Sequence, residues 1–431
     1  MRRNKIIMVI MLLCLCAAVS GCYDRREVED MAYVIAIGVD IGVNDGVRLS
    51  FQLSGGGGAQ AQGGAGQKGA GNPIQAEATN AVYTIDAPSL YTGLNQINTF
   101  SSKQLNLEHA KMIIFSEEIA KSGILKKYLK SMVRYREIRK ISNVVVVKGN
   151  AEEFLKANVV VLTGEVSKVT HMILNLEGQR TGFFPVTKLM DFYIATKSNM
   201  EDAIIPLGSM NRYENMQEPG TGEQPAASSG GRYVAGELPR RGGQRREFFG
   251  TAVFRGAHMV GELNGDETRV LSMVRGDFKQ GFFTMLDPQK EKHSIALDVR
   301  LNDKPKITVD VRQDPPVIHV RVTLEGDFLS IQSGINYESS ELKPVVEEAF
   351  AQNIKDLLDQ LIKKCQHEYK ADIFRFGTEA VTHFSTIGEW EQYEWLKKFT
   401  EAQVTTEVSF IVRRTGTILK STPVQEAGEK E

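Results

Sequence analysis

The stretch IALDVRLNDKPKITVDVRQDPPVIHVRVTLE, residues 295–325, decides the fold of the C-terminal half. Polar and apolar residues alternate along Ile295–Leu301, Lys306–Arg312 and Ile318–Glu325. A period of two turns one face of each run to a core and the other to water. Asn302-Asp303 and Asp314-Pro315-Pro316 separate the runs, and both are turn chemistry. Three such runs in succession predict an antiparallel meander. Pro344 then opens a long helical pattern, as proline suits a first turn. Val346, Phe350, Ile354, Leu357, Leu361 and Cys365 recur at steps of three and four and form one stripe. Continued to Tyr369, that helix would be roughly 39 Å long at about 1.5 Å per residue. A helix of that length with a single apolar stripe is expected to cover one face of the sheet. A second helix over Glu389–Phe399 and a closing strand over Val404–Arg413 complete an α+β region.

Upstream, Gly250–Phe254 and Met259–Leu263 predict a hairpin, so the C-terminal α+β region is expected to span 247–416, followed by a disordered tail over 417–431. A stretch over 216–246, rich in Gly, Pro, Ser and Arg, is expected to be a flexible linker or extended loop. Residues 22–215 mix strand and helix signals and predict an N-terminal α/β region, with room for two subdomains. Tyr33–Asp40 is rich in strand formers, Asn44-Asp45-Gly46 offers a turn, and Val47, Leu49, Phe51 and Leu53 alternate with polar residues. Strands are further expected over Ala76–Ile85, Ala110–Phe115 and Val144–Lys148, and helices over Ser89–Phe100, Glu117–Tyr135 and Ala151–Ala157. A Gly-rich insert, 55–71, cannot bury enough apolar surface to offset its ordering entropy and reads as a flexible loop.

The N-terminus carries a different signal. Arg2, Arg3 and Lys5 precede an apolar run from Ile6 to Val19, then Ser20, Gly21 and Cys22. A basic start, a short apolar run and small residues at the cut describe a secretory signal peptide over 1–21. The run is too short for a comfortable membrane span, which needs about 20 apolar residues. Val19-Ser20-Gly21-Cys22 resembles the bacterial lipobox, with Val19 where Leu is more usual. The expected product is a lipoprotein with diacylglycerol, and potentially an N-acyl chain, on Cys22. Two acyl chains are about what stable anchoring needs.

Composition excludes several classes. Cys14 and Cys16 leave with the signal, so only Cys365 accompanies Cys22 and no intramolecular disulfide framework is plausible. Loss of Arg2, Arg3 and Lys5 takes the formal charge from −1 to −4, and nothing suggests nucleic acid as a partner. Gly64-Ala65-Gly66-Gln67-Lys68-Gly69 matches the dinucleotide pattern formally, but the strand-to-helix context it requires is missing. No phosphate loop, Gly-x-Ser-x-Gly elbow or His-Glu-x-x-His is present, and the seven histidines are scattered. No metal site, cofactor or catalytic residue is expected, and a non-catalytic binding or scaffold protein is the favoured class. Lys126, Lys127, Lys130, Arg134, Arg136, Arg139 and Lys140 accompany one apolar stripe. They read either as contacts to anionic headgroups or, more plainly, as a solvated helix face.

Several blocks together resemble the Ger(x)C family, the lipoprotein C subunit of GerA-type spore germinant receptors. Asp24-Arg25-Arg26-Glu27-Val28-Glu29-Asp30 leads into Ala36-Ile37-Gly38-Val39-Asp40. His109-Ala110-Lys111 and Ile113–Glu118 form the next block, and Arg134–Arg139 a third, where Tyr135 replaces an acidic residue. Gly250–Phe254, Val260–Leu263, Ala371-Asp372-Ile373-Phe374-Arg375-Phe376-Gly377, Trp390, Trp395 and Arg413-Arg414-Thr415-Gly416 follow in order. The resemblance implies a multidomain mixed α/β lipoprotein on the outer face of the inner spore membrane. It further implies A-type and B-type membrane subunits as partners and a role in nutrient-triggered germination without catalysis. Asp372, Phe374, Gly377, Arg413, Arg414 and Gly416 are its marked residues, read either as a partner surface or as structural caps and turns. The alternatives are a solute-binding lipoprotein of an importer and, less favoured, a cell-surface hydrolase.

Overall fold

The computed structural model describes residues 28–44, 46–54, 81–157, 172–214 and 229–416, with 4, 6–8, 11, 216, 418 and 420–422 besides. Cys22, most of the signal segment, the Gly-rich insert and most of the tail lie outside the described residues. Two sheets organise a mixed α/β molecule. The first has nine strands: β1 (Met31–Ile41), β2 (Val47–Leu53), β3 (Val82–Ala87), β4 (Gln104–Asn106), β5 (Met112–Ser116), β6 (Asn143–Val147), β7 (Ile204–Met210), β8 (Arg246–Arg255) and β9 (His258–Leu263). Their order is β3-β2-β1-β5-β6-β7-β8-β9, with β4 beside the start of β1. β1, β5, β6 and β7 run parallel, flanked by antiparallel hairpins at both edges.

Parallel central strands are buried on both faces and read as unbroken apolar runs. Val144, Val145, Val146 and Val147 of β6 are all fully buried. One face is covered by helices α1 (Leu90–Ile97), α2 (Glu117–Lys121), α3 (Leu125–Arg134) and α6 (Leu189–Ala195), whose apolar residues join the β1–β2 core. The other face is covered by α4 (Ala151–Lys156), with Phe248 between Phe154 and Phe184; α5 (Gly178–Thr181) stands nearby. The expected single helix over Glu117–Tyr135 is two helices. Gly123 takes φ +73, a left-handed turn that breaks the helix where an L side chain would be strained.

The second sheet contains β10 (Gln280–Leu286), β11 (Ser294–Leu301), β12 (Lys306–Asp310), β13 (Val317–Ile331) and β14 (Gln403–Arg414). The three runs form antiparallel strands as expected, but not in the neighbour-to-neighbour order of a meander. β11 and β12 pair with successive lengths of the same β13 edge, Leu301 opposite Leu324 and Lys306 opposite Arg321. The closing strand departs from the antiparallel scheme, because β14 runs parallel to β13. Between them the chain crosses over through the long helix α8 (Lys343–Lys364), and a crossover is what a parallel pair requires. Pro344 lies in its first turn, and Val346, Phe350, Ile354, Leu361 and Cys365 are buried as the stripe predicts. Leu358 and Ile362 join them, while Leu357 is only part-buried. The last turn, Cys365–Tyr369, widens before Lys370 stops it at φ +51.

Three other expectations change. The hairpin β8–β9, assigned above to the C-terminal region, extends the first sheet, since Ile204 opposes Val253 and Met210 opposes Arg246. The boundary expected at 247 therefore falls inside a sheet. Residues 229–246 are not a free linker: Val234 and Ala235 are buried in the first core and Ala235 N–H donates to the Phe249 carbonyl. The predicted helix over Glu389–Phe399 is broken at Glu394, φ +51, into α10 (Ile387–Tyr393) and α11 (Trp395–Lys398), after α9 (Phe376–Ala380).

Helix α7 (Gly265–Arg275) links the two sheets. Asn264 accepts from the Glu267 amide at 2.9 Å while Glu267 accepts from the Asn264 amide at 2.8 Å, a capping box that starts the helix sharply. Gly276 ends it at φ +74. Ile204, Val253 and Leu263 of the first sheet share one continuous core with the second sheet, α7 and α8.

Candidate functional site

The segment Ala371–Gly377 directly follows α8. Left-handed turns at Lys370 and Arg375 fold it back on itself, so Asp372, Phe374 and Phe376 are fully buried. Phe374 and Phe376 stack with centroids 5.0 Å apart. Asp372 accepts four hydrogen bonds: from the amides of Phe374 (3.0 Å), Phe376 (3.3 Å) and Gly377 (2.9 Å), and from the Trp395 indole N–H (2.9 Å). Gly377 has no room for a side chain, since a Cβ there would stand 2.1 Å from the Met200 carbonyl oxygen and 2.6 Å from the Trp395 ring. Asp372, Gly377 and Trp395 thus form a single packed knot.

The knot is tied to the first sheet. Asp202, two residues before β7, donates its amide to the Asp372 carbonyl at 2.7 Å and accepts the Asp372 amide at 3.1 Å. Its other oxygen accepts from the Gly256 amide, in the β8–β9 turn, at 3.2 Å. Trp390 donates to Asn199 at 2.8 Å, Arg375 donates to Glu201 at 3.0 Å, and Arg275 at the end of α7 donates to the Ile373 carbonyl at 2.6 Å. Residues 199–202 therefore bind the C-terminal helical segment at four points. Sequence reading singled out the 371–377 side of this joint and missed Asp202 and Arg275. Neither has a local signal, as Asp202 and Asp372 are 170 residues apart.

Burial dominates the electrostatics. It pushes the Asp202 carboxyl up to about 7, with the Asp372 charge adding to the shift. It raises Asp372 as well, outweighing the four donors that favour its charged form, and it lowers the Arg275 guanidinium. A cavity of about 500 Å³ opens beside the joint, with Phe184, Phe192, Asp202, Arg275, Asp277 and Arg375 on its wall. Its cations are matched within the protein, Arg375 by Glu201 and Arg275 by Glu201 and Asp277.

A carboxyl whose pKa is raised on folding stabilises the fold while protonated. That contribution is complete below its unfolded value, near 4, and is lost as pH rises through about 7. Asp202→Asn is expected to flatten the corresponding fall in stability between about pH 4 and pH 7, read as urea midpoints for the parent and variant across that range. Identical slopes would show that Asp202 does not titrate there.

The second marked group lies elsewhere. Arg413 donates to Glu325 at 3.0 Å and to Asn302 at 3.3 Å, across the exposed face of the second sheet. A bulge beside it shifts the register from Gly326–Val412 to Asp327–Arg414. Arg414 is exposed, and Gly416 turns the chain at φ +70. The structure does not bring Arg413, Arg414 and Gly416 to the Asp372 joint. Cys22 lies outside the described residues. Cys365 is a buried free thiol whose pKa burial pushes well up, so it is no nucleophile at neutral pH.

Comparison with known proteins bears on the whole chain. Residues 24–210 match the spore germination protein N-terminal domain, and residues 249–416 match the spore germination B3/GerAC-like C-terminal domain. Among Bacillus subtilis (strain 168) proteins, spore germination protein B3 is 24% identical over 96% of this chain and 98% of its own length. Spore germination protein KC is 23% identical over 98% of each, and spore germination protein YndF 22% identical over 97% and 98%. The crystal structure of the GerBC protein superposes with a TM-score of 0.50 at 17% identity, covering 87% of this chain and 96% of that one, and shows the shared fold. With both domain matches in order along one chain, the protein belongs to the Ger(x)C, GerAC-like family of spore germination proteins.

Proposed function

We propose that this protein is the lipid-anchored C subunit of a nutrient germinant receptor. In this reading diacylglycerol on Cys22 holds it to the outer face of the inner spore membrane. There it acts as a non-catalytic scaffold beside A-type and B-type membrane subunits. The observation that carries the reading is the use made of the marked acid. All four hydrogen bonds to Asp372 come from its own fold, which suits a rigid body that transmits contacts and leaves no carboxylate lone pair aimed at a substrate. No helix of the described residues is long and apolar enough to cross a membrane, which fits attachment by lipid.

The test is isolation of the tagged native chain from developing spores in mild detergent. Two membrane subunits, one of them polytopic, are expected to co-isolate with it. Recovery of the chain without membrane partners, together with unchanged germination of a deletion strain on every nutrient tried, would overturn the reading.

One observation favours a second reading, the solute-binding lipoprotein of an importer: the cavity of about 500 Å³ beside Arg275 and Arg375. Micromolar binding of a small nutrient in calorimetry would support it. The internal pairing of both arginines argues against it.

A further inference from the structure

We propose that the end of the first sheet where β1 begins is a headgroup-binding face, which docks on an anionic phospholipid bilayer beside the anchor. The proposal rests on the membrane attachment argued above and adds an orientation to it.

Topology brings the face together. β1, β5 and β6 are parallel and in register, Ala36 opposite Met112 and Ile113 opposite Val144. Their N-terminal ends therefore lie at one end of the sheet, with the turns that precede them. β4 joins them there, Met31 opposite Gln104. α1 follows β3 and returns to this end before β4, and α3 returns to it before β6. The turns so gathered carry exposed Lys103, Lys111, Arg134, Arg136, Arg139 and Lys140. Two large apolar side chains stand out among them, Ile141 at 71% exposure and Phe100 at 59%. Basic residues around protruding apolar ones are the composition of a peripheral membrane face.

The charge there is uncompensated. Several surface cations elsewhere find carboxylates, Lys121 with Glu117, Lys156 with Glu152, Lys355 with Asp359 and Arg321 with Glu407. Among the described residues, Arg136, Arg139 and Lys140 make no side-chain hydrogen bond or ion pair. Among the described residues the acids at this end are Glu29, Asp30, Glu108, Glu137 and, beside Lys140, Asp191; Glu137 accepts from the Leu107 amide at 3.3 Å. The six basic side chains outnumber them.

The anchor selects the occupant. Val28 is six residues on from Cys22 and leads directly into β1 at this same end. At about 3.5 Å per residue the lipidated cysteine lies within roughly 20 Å of it. A bilayer reached by Cys22 is thus reached by the basic face, and the weak charge attraction becomes an orienting contact once lipid supplies the attachment.

The test uses the mature chain, residues 22–431, carrying Cys22→Ala, which removes both the apolar signal run and the lipid and leaves the face as the sole membrane contact. At low salt it is expected to sediment with phosphatidylcholine vesicles containing about 30% phosphatidylglycerol and not with pure phosphatidylcholine, and to be released by about 0.5 M salt. Adding Arg136→Glu, Arg139→Glu and Lys140→Glu is expected to lower partitioning at least about 100-fold. Lys126→Glu, Lys127→Glu and Lys130→Glu make the same charge change toward the other end of α3 and are expected to cost about 10-fold or less. Unchanged thermal midpoints confirm that both triples fold. No binding, equal binding to neutral vesicles, or an equal loss in both triples overturns the proposal. The mass of the N-terminal peptide of the native chain tests lipidation separately. An acylated Cys22 with no vesicle binding by the Cys22→Ala chain sinks this proposal alone, whereas an unmodified Cys22 with binding sinks only the lipid anchor.

Discussion

Asp372→Ala is expected to lower the stability of the protein by at least about 4 kcal/mol, enough to prevent stable folding of a chain with ordinary marginal stability. The change strips the acceptor from three backbone amides and one indole N–H, all in a fully buried site. A buried donor left without a partner costs about 1–3 kcal/mol, and four are left at once. Asp372→Asn retains one acceptor oxygen of similar shape and is expected to lose about half as much. Urea midpoints of the two variants, with hydrogen exchange at Phe374, Phe376 and Gly377, measure this directly. An Ala variant with a parental midpoint would show that the knot is not what joins the two sheets. Because Asp202 bonds Asp372 through both backbone and side chain, the loss should spread to the β7 end of the first sheet.

The ordering of these effects explains what was legible in the sequence. Elements whose signals are local were read well: the alternation of 295–325 and the stripe from Val346 to Cys365 are short-range consequences of one buried face. Gly123 and Glu394 broke helices that periodicity alone continued, because a single left-handed residue outweighs the pattern on both sides. The parallel pairing of β14 was hidden, since strand direction is decided by the crossover through α8 and leaves no mark on Val404–Arg413 itself. The β8–β9 hairpin shows the same limit. Its pattern identified a hairpin, but its partner strand β7 lies across 35 residues of turn-rich chain between Met210 and Arg246. At the joint, Asp372 and Gly377 were visible as a compact motif, whereas Asp202 became a partner only through tertiary contact. Cys22 is the reverse case: its reading rests wholly on sequence, outside the described residues.

Cys22→Ala carries the second large effect. In the proposed reading, removal of the acyl chains leaves only contacts to partners and a salt-sensitive surface attraction, and neither replaces two buried chains at about 0.8 kcal/mol per methylene. On that reading the expected consequence is loss of receptor assembly first and of nutrient response as a result, while the body folds normally, because the Asp372 joint and the described core are built from Val34 onward. The most direct measurement is therefore fractionation of spores in which Cys22→Ala is exported behind a non-lipoprotein signal that is cleaved before residue 22, with a wash at high salt, followed by germination on nutrients. The account predicts a folded protein in the soluble fraction and a lost nutrient response. A variant that stays with the membrane through the wash and germinates like the parent would contradict it.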